Sequence, residues 1–128
     1  MSHFSLIKIK IRNPDPALLR RAVEMIAEEL GGELVTRIRD YYGRTMEVQI
    51  GIVNDTFQRG VGVRVNEHGE VEVVGDFFLI PSSAVARFKE LLVRNYTALA
   101  LHAALAQLGY RVQAQKVEGR IFIRGVAP

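Results

Sequence analysis

The sequence predicts an α+β fold, with residues 1–128 forming one two-layer domain. We expect a mostly antiparallel sheet of about seven strands with two helices on one face. Seven short segments alternate apolar and polar residues, as half-buried strands do, and two longer segments repeat apolar residues at helical spacing. Short links between successive strands force antiparallel pairing. Because two helices cannot cover both faces of so wide a sheet, one face is expected to stay open.

The predicted order is strand, helix, four strands, long helix and two strands. The first helix has Asp15 as its cap and Pro16 as its first residue, and it ends at the Gly31-Gly32 pair. The second helix opens with Ser82 as a candidate cap and runs to about Leu108. The predicted strands are Ile7–Ile11, Glu33–Arg39, Met46–Ile52, Val61–Val65, Val71–Val73, Tyr110–Val117 and Arg120–Arg124.

Composition excludes several classes of protein. Hydrophobic residues make up 48% and charged residues 24%, as in ordinary globular chains, and no apolar run approaches the ~20 residues that span a bilayer. The absence of cysteine excludes disulfides, thiol nucleophiles and zinc fingers. Alternating Ile and Lys near the N-terminus, in place of a signal-peptide apolar region, favours a cytoplasmic location. Arginine is the residue at 13 of the 17 basic positions, a bias that is compatible with a thermophile.

The basic residues concentrate at strand positions out of phase with the apolar ones, which places them on the predicted open face. Nine basic and three acidic residues give this face a formal charge of +6, whereas the whole chain carries +3. The basic residues are Lys8, Lys10, Arg12, Arg37, Arg39, Arg64, Arg111, Arg120 and Arg124. The acidic residues are Glu47, Glu70 and Glu72. Gln49, Gln113, Gln115 and Phe122 share the face.

Such a face predicts a non-enzymatic binding module for an anionic partner, either a nucleic acid or an acidic protein. Phe122 could stack a base. Two alternatives stay open. The arginines could pair across strands with the three glutamates, or the face could meet another copy of the chain. For a homodimer, pairing through the Arg120–Arg124 edge strand is the more plausible route.

Two further functions are compatible with the sequence. An adaptor or assembly subunit could bind protein partners through an edge strand or the Tyr41-Tyr42 loop. A small enzyme or ligand binder would need a pocket formed by His3, Tyr42, Asp76 and Tyr96. For Asp76, capping a turn or pairing with an arginine is favoured over a role as general base. The spacing of the histidines predicts no metal site, and no motif indicates a cofactor or a catalytic constellation.

Several short segments carry a resemblance to a known family. These are Met1–Phe4 with the basic strand that follows, Tyr42–Thr45, Val65–Gly69, Val74–Phe77, Arg94–Tyr96 and Leu108–Val112. With them the chain resembles an uncharacterised family of cyanobacteria, plastids and some archaea, known in plastids as a hypothetical reading frame. The resemblance implies a small soluble protein without an assigned activity, and an adaptor or client role beside an AAA-type ATPase. Phe77 and Phe78 depart from the tryptophan frequent there in the family, and Gly31–Arg39 matches poorly.

Overall fold

Seven strands and two helices follow the predicted order in the computed structural model, which describes residues 3–127. The predicted α+β class with antiparallel pairing is confirmed. The elements are β1 (Ser5–Arg12), α1 (Pro16–Leu30), β2 (Glu33–Arg39), β3 (Thr45–Val53), β4 (Val61–Val65), β5 (Glu70–Gly75), α2 (Ser82–Gln107), β6 (Arg111–Val117) and β7 (Arg120–Val126).

The strands divide into two sheets, whereas the sequence pattern had suggested one. β1 to β5 form a five-stranded antiparallel sheet in the order β1-β5-β4-β3-β2, and β6 pairs with β7 alone. α2 has 26 residues and is therefore about 39 Å long, which exceeds the length of any strand in the sheet. Its buried residues all lie between Val85 and Asn95, and the part of α2 that follows Asn95 contains none. Its second half is thus free to receive the β6–β7 hairpin.

Both helices pack on the same face of the five-stranded sheet, as predicted. One buried cluster contains Leu19, Val23 and Ile26 of α1 together with Phe88 and Leu92 of α2. The sheet contributes its helix-facing alternate positions to the same cluster, namely Ile11, Ile50, Ile52, Val61, Val63, Val71 and Val73. At about 25 cal/mol per Å² of buried apolar surface, this shared core is the main force that holds the helix layer on the sheet.

The ends of the helices follow from local chemistry. Asp15 Oδ1 accepts the backbone N–H groups of Ala17 and Leu18, as the sequence predicts for an N-cap. Gly31 ends α1 with a φ of 79°, a conformation that favours glycine. The predicted cap at Ser82 is wrong: α2 already begins at this residue, Pro81 holds the cap position, and no side chain caps the helix.

The face opposite the helices is only partly open, because the sheet curls over itself. Gly51 and Gly62 pair across β3 and β4, and a Cβ on Gly62 would lie 2.6 Å from Val48 Cγ1. The first half of β3 therefore crosses above β4. Ile38, Val48 and Val74 pack together and are all buried. They form a second small core on the face that the sequence predicts to be bare.

Candidate functional site

Three of the six basic residues of the main sheet are ion-paired with carboxylates. Glu72 lies between Lys8 of β1 and Arg64 of β4 in the strand register, and Arg64 Nε donates to Glu72 Oε1 over 3.1 Å. Lys8 Nζ lies 3.4 Å from Glu70 Oε1. A hydrogen bond from Asn66, with the nearby Lys8 charge, holds the pKa of Glu70 below its ordinary value. The formal charges of Lys8 and Arg64 are thus balanced by those of Glu70 and Glu72.

Arg37 of β2 completes this pattern, since its Nη2 lies 2.7 Å from Glu47 Oε1 on β3. All three glutamates that share the predicted basic face are therefore ion-paired, and pairing across strands is the correct interpretation for Lys8, Arg37 and Arg64. Within the described part of the chain, three basic residues of the main sheet form no ion pair; they are Lys10, Arg12 and Arg39.

The remaining basic residues of the predicted face lie elsewhere, on the β6–β7 hairpin. Register and alternation place six exposed polar or aromatic side chains on one side of this two-stranded ribbon. We call them the ribbon face: Arg111, Gln113, Gln115, Arg120, Phe122 and Arg124. Gln113 faces Arg124 and Gln115 faces Phe122 across the strands. Neither strand contains an Asp or Glu, so the ribbon face carries a formal charge of +3 with no carboxylate among its neighbours in register.

The other side of the ribbon is fastened to the helices. Lys116 Nζ lies 2.6 Å from Glu29 Oε1 near the end of α1, and Arg94 Nη1 donates to the carbonyl oxygen of Gly119 over 3.1 Å. Arg87 and Arg94 also contact the Glu29 carboxylate at 2.9 Å each. Hydrogen bonds from Lys116 and Arg94 lower the pKa of Glu29 to about 2. These contacts of Lys116 and Arg94 fix which side of the ribbon faces the solvent.

A second exposed feature lies at the end of the sheet, where the β2–β3 hairpin tip meets the loop between β5 and α2. Tyr41, Tyr42, Phe78 and Leu79 are exposed there, and we call them the loop cluster. The Tyr41 ring packs edge-to-face on Tyr42 at 5.6 Å and on Phe78 at 5.4 Å between centroids. The tyrosine loop predicted as a docking element is therefore continuous with the apolar residues that precede α2.

Two buried aspartates hold the backbone of the loop cluster. Asp40 Oδ1 accepts the N–H groups of Tyr42 and Arg44, and its Oδ2 accepts Arg44 Nε at 2.6 Å. Burial acts to raise the pKa of Asp40, but the hydrogen bonds and charge of Arg44 outweigh it, and the pKa lies below its ordinary value. Asp76 accepts the N–H groups of Tyr41 at 2.7 Å and Phe78 at 3.1 Å. Both carboxylates therefore cap turns, the role that the sequence favours for Asp76.

The four residues of the predicted pocket do not converge. Tyr42 and Asp76 lie together at the end of the sheet where β5 finishes. His3 lies two residues before β1, which starts beside the same end of β5. Tyr96 lies in the middle of α2, where its hydroxyl accepts the N–H of Asp15 at the start of α1. The length of β1 separates these two places, so a pocket shared by all four residues is wrong.

Sequence reasoning missed Arg59, which ties the loops of this region together. Its Nη2 donates to the carbonyl oxygens of Asp76 and Phe78, and its guanidinium lies 5.8 Å from the centre of the Tyr41 ring. Leu79 was missed too, although one signal was available. The run Phe77–Ile80 is entirely apolar and belongs to no predicted helix or strand, which is unusual for a loop.

In comparisons with known proteins, no protein-family model, curated protein or solved structure matches the chain. The resemblance described from the sequence, the ATPase association and the homodimer therefore stay predictions. Within residues 3–127, no group of three or more His, Asp or Glu side chains is placed to hold a metal ion. No helix in that range has the length and apolarity needed to cross a membrane.

Proposed function

We propose that this protein is a non-enzymatic binding module whose ribbon face engages single-stranded nucleic acid. The observation that carries the proposal is the contrast between the two parts of the predicted basic face. On the main sheet Lys8, Arg37 and Arg64 form ion pairs with glutamates, whereas the ribbon face presents three arginines on strands without any carboxylate.

The chemistry of the ribbon face suits a phosphate backbone. Guanidinium groups are weakly hydrated and present a planar fork of donors that matches phosphate oxygens, so an unpaired arginine binds them more readily than one already held by a glutamate. Arg120 and Arg124 lie on the same side of β7, with Phe122 between them. Arg111 lies at the start of β6, at the opposite end of the ribbon from Arg120. Successive phosphates of a bound strand can meet these positions in turn.

Phe122 and the two glutamines favour a single strand over a duplex. Phe122 is 54% exposed in the middle of the ribbon face, opposite Gln115, although a ring of this size is normally covered when it has no partner to bind. An unpaired base can stack on such a ring, which in comparable sites is worth about 1–3 kcal/mol. The amides of Gln113 and Gln115 can donate to and accept from base edges beside it.

The test is fluorescence anisotropy with a labelled single-stranded RNA, using two triple variants that remove equal charge. One variant replaces the arginines of the ribbon face, Arg111→Ala, Arg120→Ala and Arg124→Ala. The matched control replaces the unpaired basic residues of the main sheet, Lys10→Ala, Arg12→Ala and Arg39→Ala. We expect the first to weaken binding by more than about tenfold and the second by less than about threefold.

Phe122→Leu separates stacking from general electrostatics, since it keeps the charge and most of the apolar volume. It should weaken binding to single strands and leave the weaker binding to duplex DNA unchanged. Equal losses in the two triple variants would contradict the proposal, because the affinity would then follow net charge alone. Failure of the wild-type protein to bind RNA at low salt would also contradict the proposal.

A further inference from the structure

The loop cluster carries an inference that is independent of the ribbon face. We propose that Tyr41, Tyr42, Phe78 and Leu79 form a preformed knob that docks into a partner protein, at an apolar cleft rimmed by carboxylates. Phe78 and Leu79 of the cluster precede the first turn of α2, whereas the ribbon meets this helix from Val93 onwards, so the two surfaces can act separately.

The apolar exposure of the knob is large and contiguous. Leu79 is 80% exposed, Tyr42 64%, Tyr41 56% and Phe78 43%, and ring contacts join Tyr41 to both of its aromatic neighbours. Single exposed apolar residues are normal on protein surfaces, but three exposed rings in contact, with an exposed leucine next to one of them in the chain, are typical of an interaction site. Tyrosine is also among the residues that dominate the binding energy of protein interfaces.

The knob is held rigid at a cost to the fold. Asp40, Asp76 and Arg59 bury polar groups in order to bond the loop backbone, and Arg59 Nε is buried with no partner among the described residues. Leu79 has a φ of 64°, in the left-handed region that glycine adopts freely and a bulky apolar residue such as leucine rarely adopts. Such strain persists where the surrounding structure enforces it, and it is concentrated at functional sites. A preformed knob loses little entropy on binding.

The charges around the knob indicate the chemistry of the partner. The two carboxylates of this region, Asp40 and Asp76, are buried and bonded internally, while the exposed charged residues on either side of the tyrosine loop in the chain, Arg39 and Arg44, are both basic. Arg44 also lies 5.7 Å from the centre of the Tyr42 ring. A partner cleft rimmed by Asp or Glu complements this surface, and a basic rim would be repelled.

A nucleic acid fits the knob less well than a protein does. The rings stand nearly perpendicular to one another, at 83° and 89°, so neighbouring rings offer no parallel platform for successive bases. Leu79, the most exposed member, has no ring to stack, but it can fill an apolar cleft.

The test selects ligands for the full chain from a phage-displayed library of random peptides. Synthetic versions of the enriched peptides are then measured by calorimetry against Leu79→Gly, Leu79→Ala and Tyr42→Ser. As a control, Arg120→Ala alters the ribbon face only. We expect the enriched peptides to combine aliphatic or aromatic residues with Asp or Glu. Their affinity should fall about tenfold or more in the knob variants and stay unchanged in the control.

Leu79→Gly distinguishes a role of the Leu79 side chain in binding a partner from a role in stabilising the fold. Glycine adopts a φ of 64° without strain, so this variant should be as stable as wild type or more stable, and more stable than Leu79→Ala, while it loses peptide affinity. A melting temperature clearly below that of wild type would show that Leu79 serves the fold, and would overturn the proposal. Failure to enrich peptides, enrichment of basic peptides, or equal binding to all variants would overturn it as well.

Discussion

Gly62→Ala probes the curl of the sheet, which covers part of the predicted open face with the second core. The added Cβ would lie 2.6 Å from Val48 Cγ1 and 2.9 Å from Val48 Cβ, whereas an ordinary carbon contact needs at least 3.4 Å. Relief therefore requires the β2–β3 hairpin to lift by several tenths of an ångström. Val48 is buried beneath neighbours on this hairpin, so its side chain has little room to turn aside.

Overpacking of this kind costs about 1–3 kcal/mol. For a chain of 128 residues, the melting temperature should fall by roughly 3–9 °C. Val48→Ala alone should cost about 1–2 kcal/mol, because it deletes two buried methyl groups. In the double variant the smaller residue makes room for the new Cβ, and the loss should be at least about 1 kcal/mol less than the sum of the two single losses.

Urea unfolding of the four proteins in this cycle gives the coupling energy directly. Gly125→Ala in β7 is the matched control, since a Cβ there would meet its nearest atoms at an ordinary 3.4 Å. Its free energy of unfolding should stay within about 1 kcal/mol of wild type. A neutral Gly62→Ala, or strict additivity with Val48→Ala, would refute the packing of the hairpin over the sheet.

Two further predictions concern polar contacts of the helices, one with the ribbon and one between α1 and α2. Because the pKa of Glu29 is lowered to about 2, its charged form stabilises the folded state above pH 4.5, and this contribution is lost as the pH falls towards 2. Glu29→Gln should thus lower the free energy of unfolding by about 1–2 kcal/mol at pH 7, since water partly screens the carboxylate. Near pH 2 the same substitution should change it by almost nothing. Urea titrations at both pH values measure the difference. Asn95 is fully buried and donates to the carbonyl oxygen of Ala22, so Asn95→Ala should lower the free energy of unfolding by about 1–3 kcal/mol; a neutral result would contradict this hydrogen bond.

The elements of this fold could be predicted because their signals are local. Asp15 and Gly31 set the ends of α1, and alternation along each strand shows which residues share a side. The division into two sheets could not be predicted, because alternation does not specify the pairing partner of a strand. That β1 pairs with β5, and β6 only with β7, depends on contacts between distant parts of the chain.

The candidate sites also combine local signals, which the sequence shows, with contacts between distant residues, which it does not show. The sequence identifies the arginines of both sheets, but the pairing of Arg64 with Glu72 depends on the register of β4 against β5. The loop cluster depends on the curl at Gly62, which brings Tyr41 to Asp76, 35 residues further along the chain. The positive φ of Leu79 has no signature in the sequence, since glycine is the residue expected there.

The salt dependence of RNA binding tests the ribbon face most directly. Each phosphate contact contributes about −0.7 to the slope of log Kobs against log salt concentration for a single strand. We predict that replacing Arg111, Arg120 and Arg124 with alanine makes this slope shallower by about 2, which corresponds to three lost contacts. A slope and an affinity equal to those of the wild type would contradict the account, because the unpaired arginines of the ribbon would then touch no phosphate.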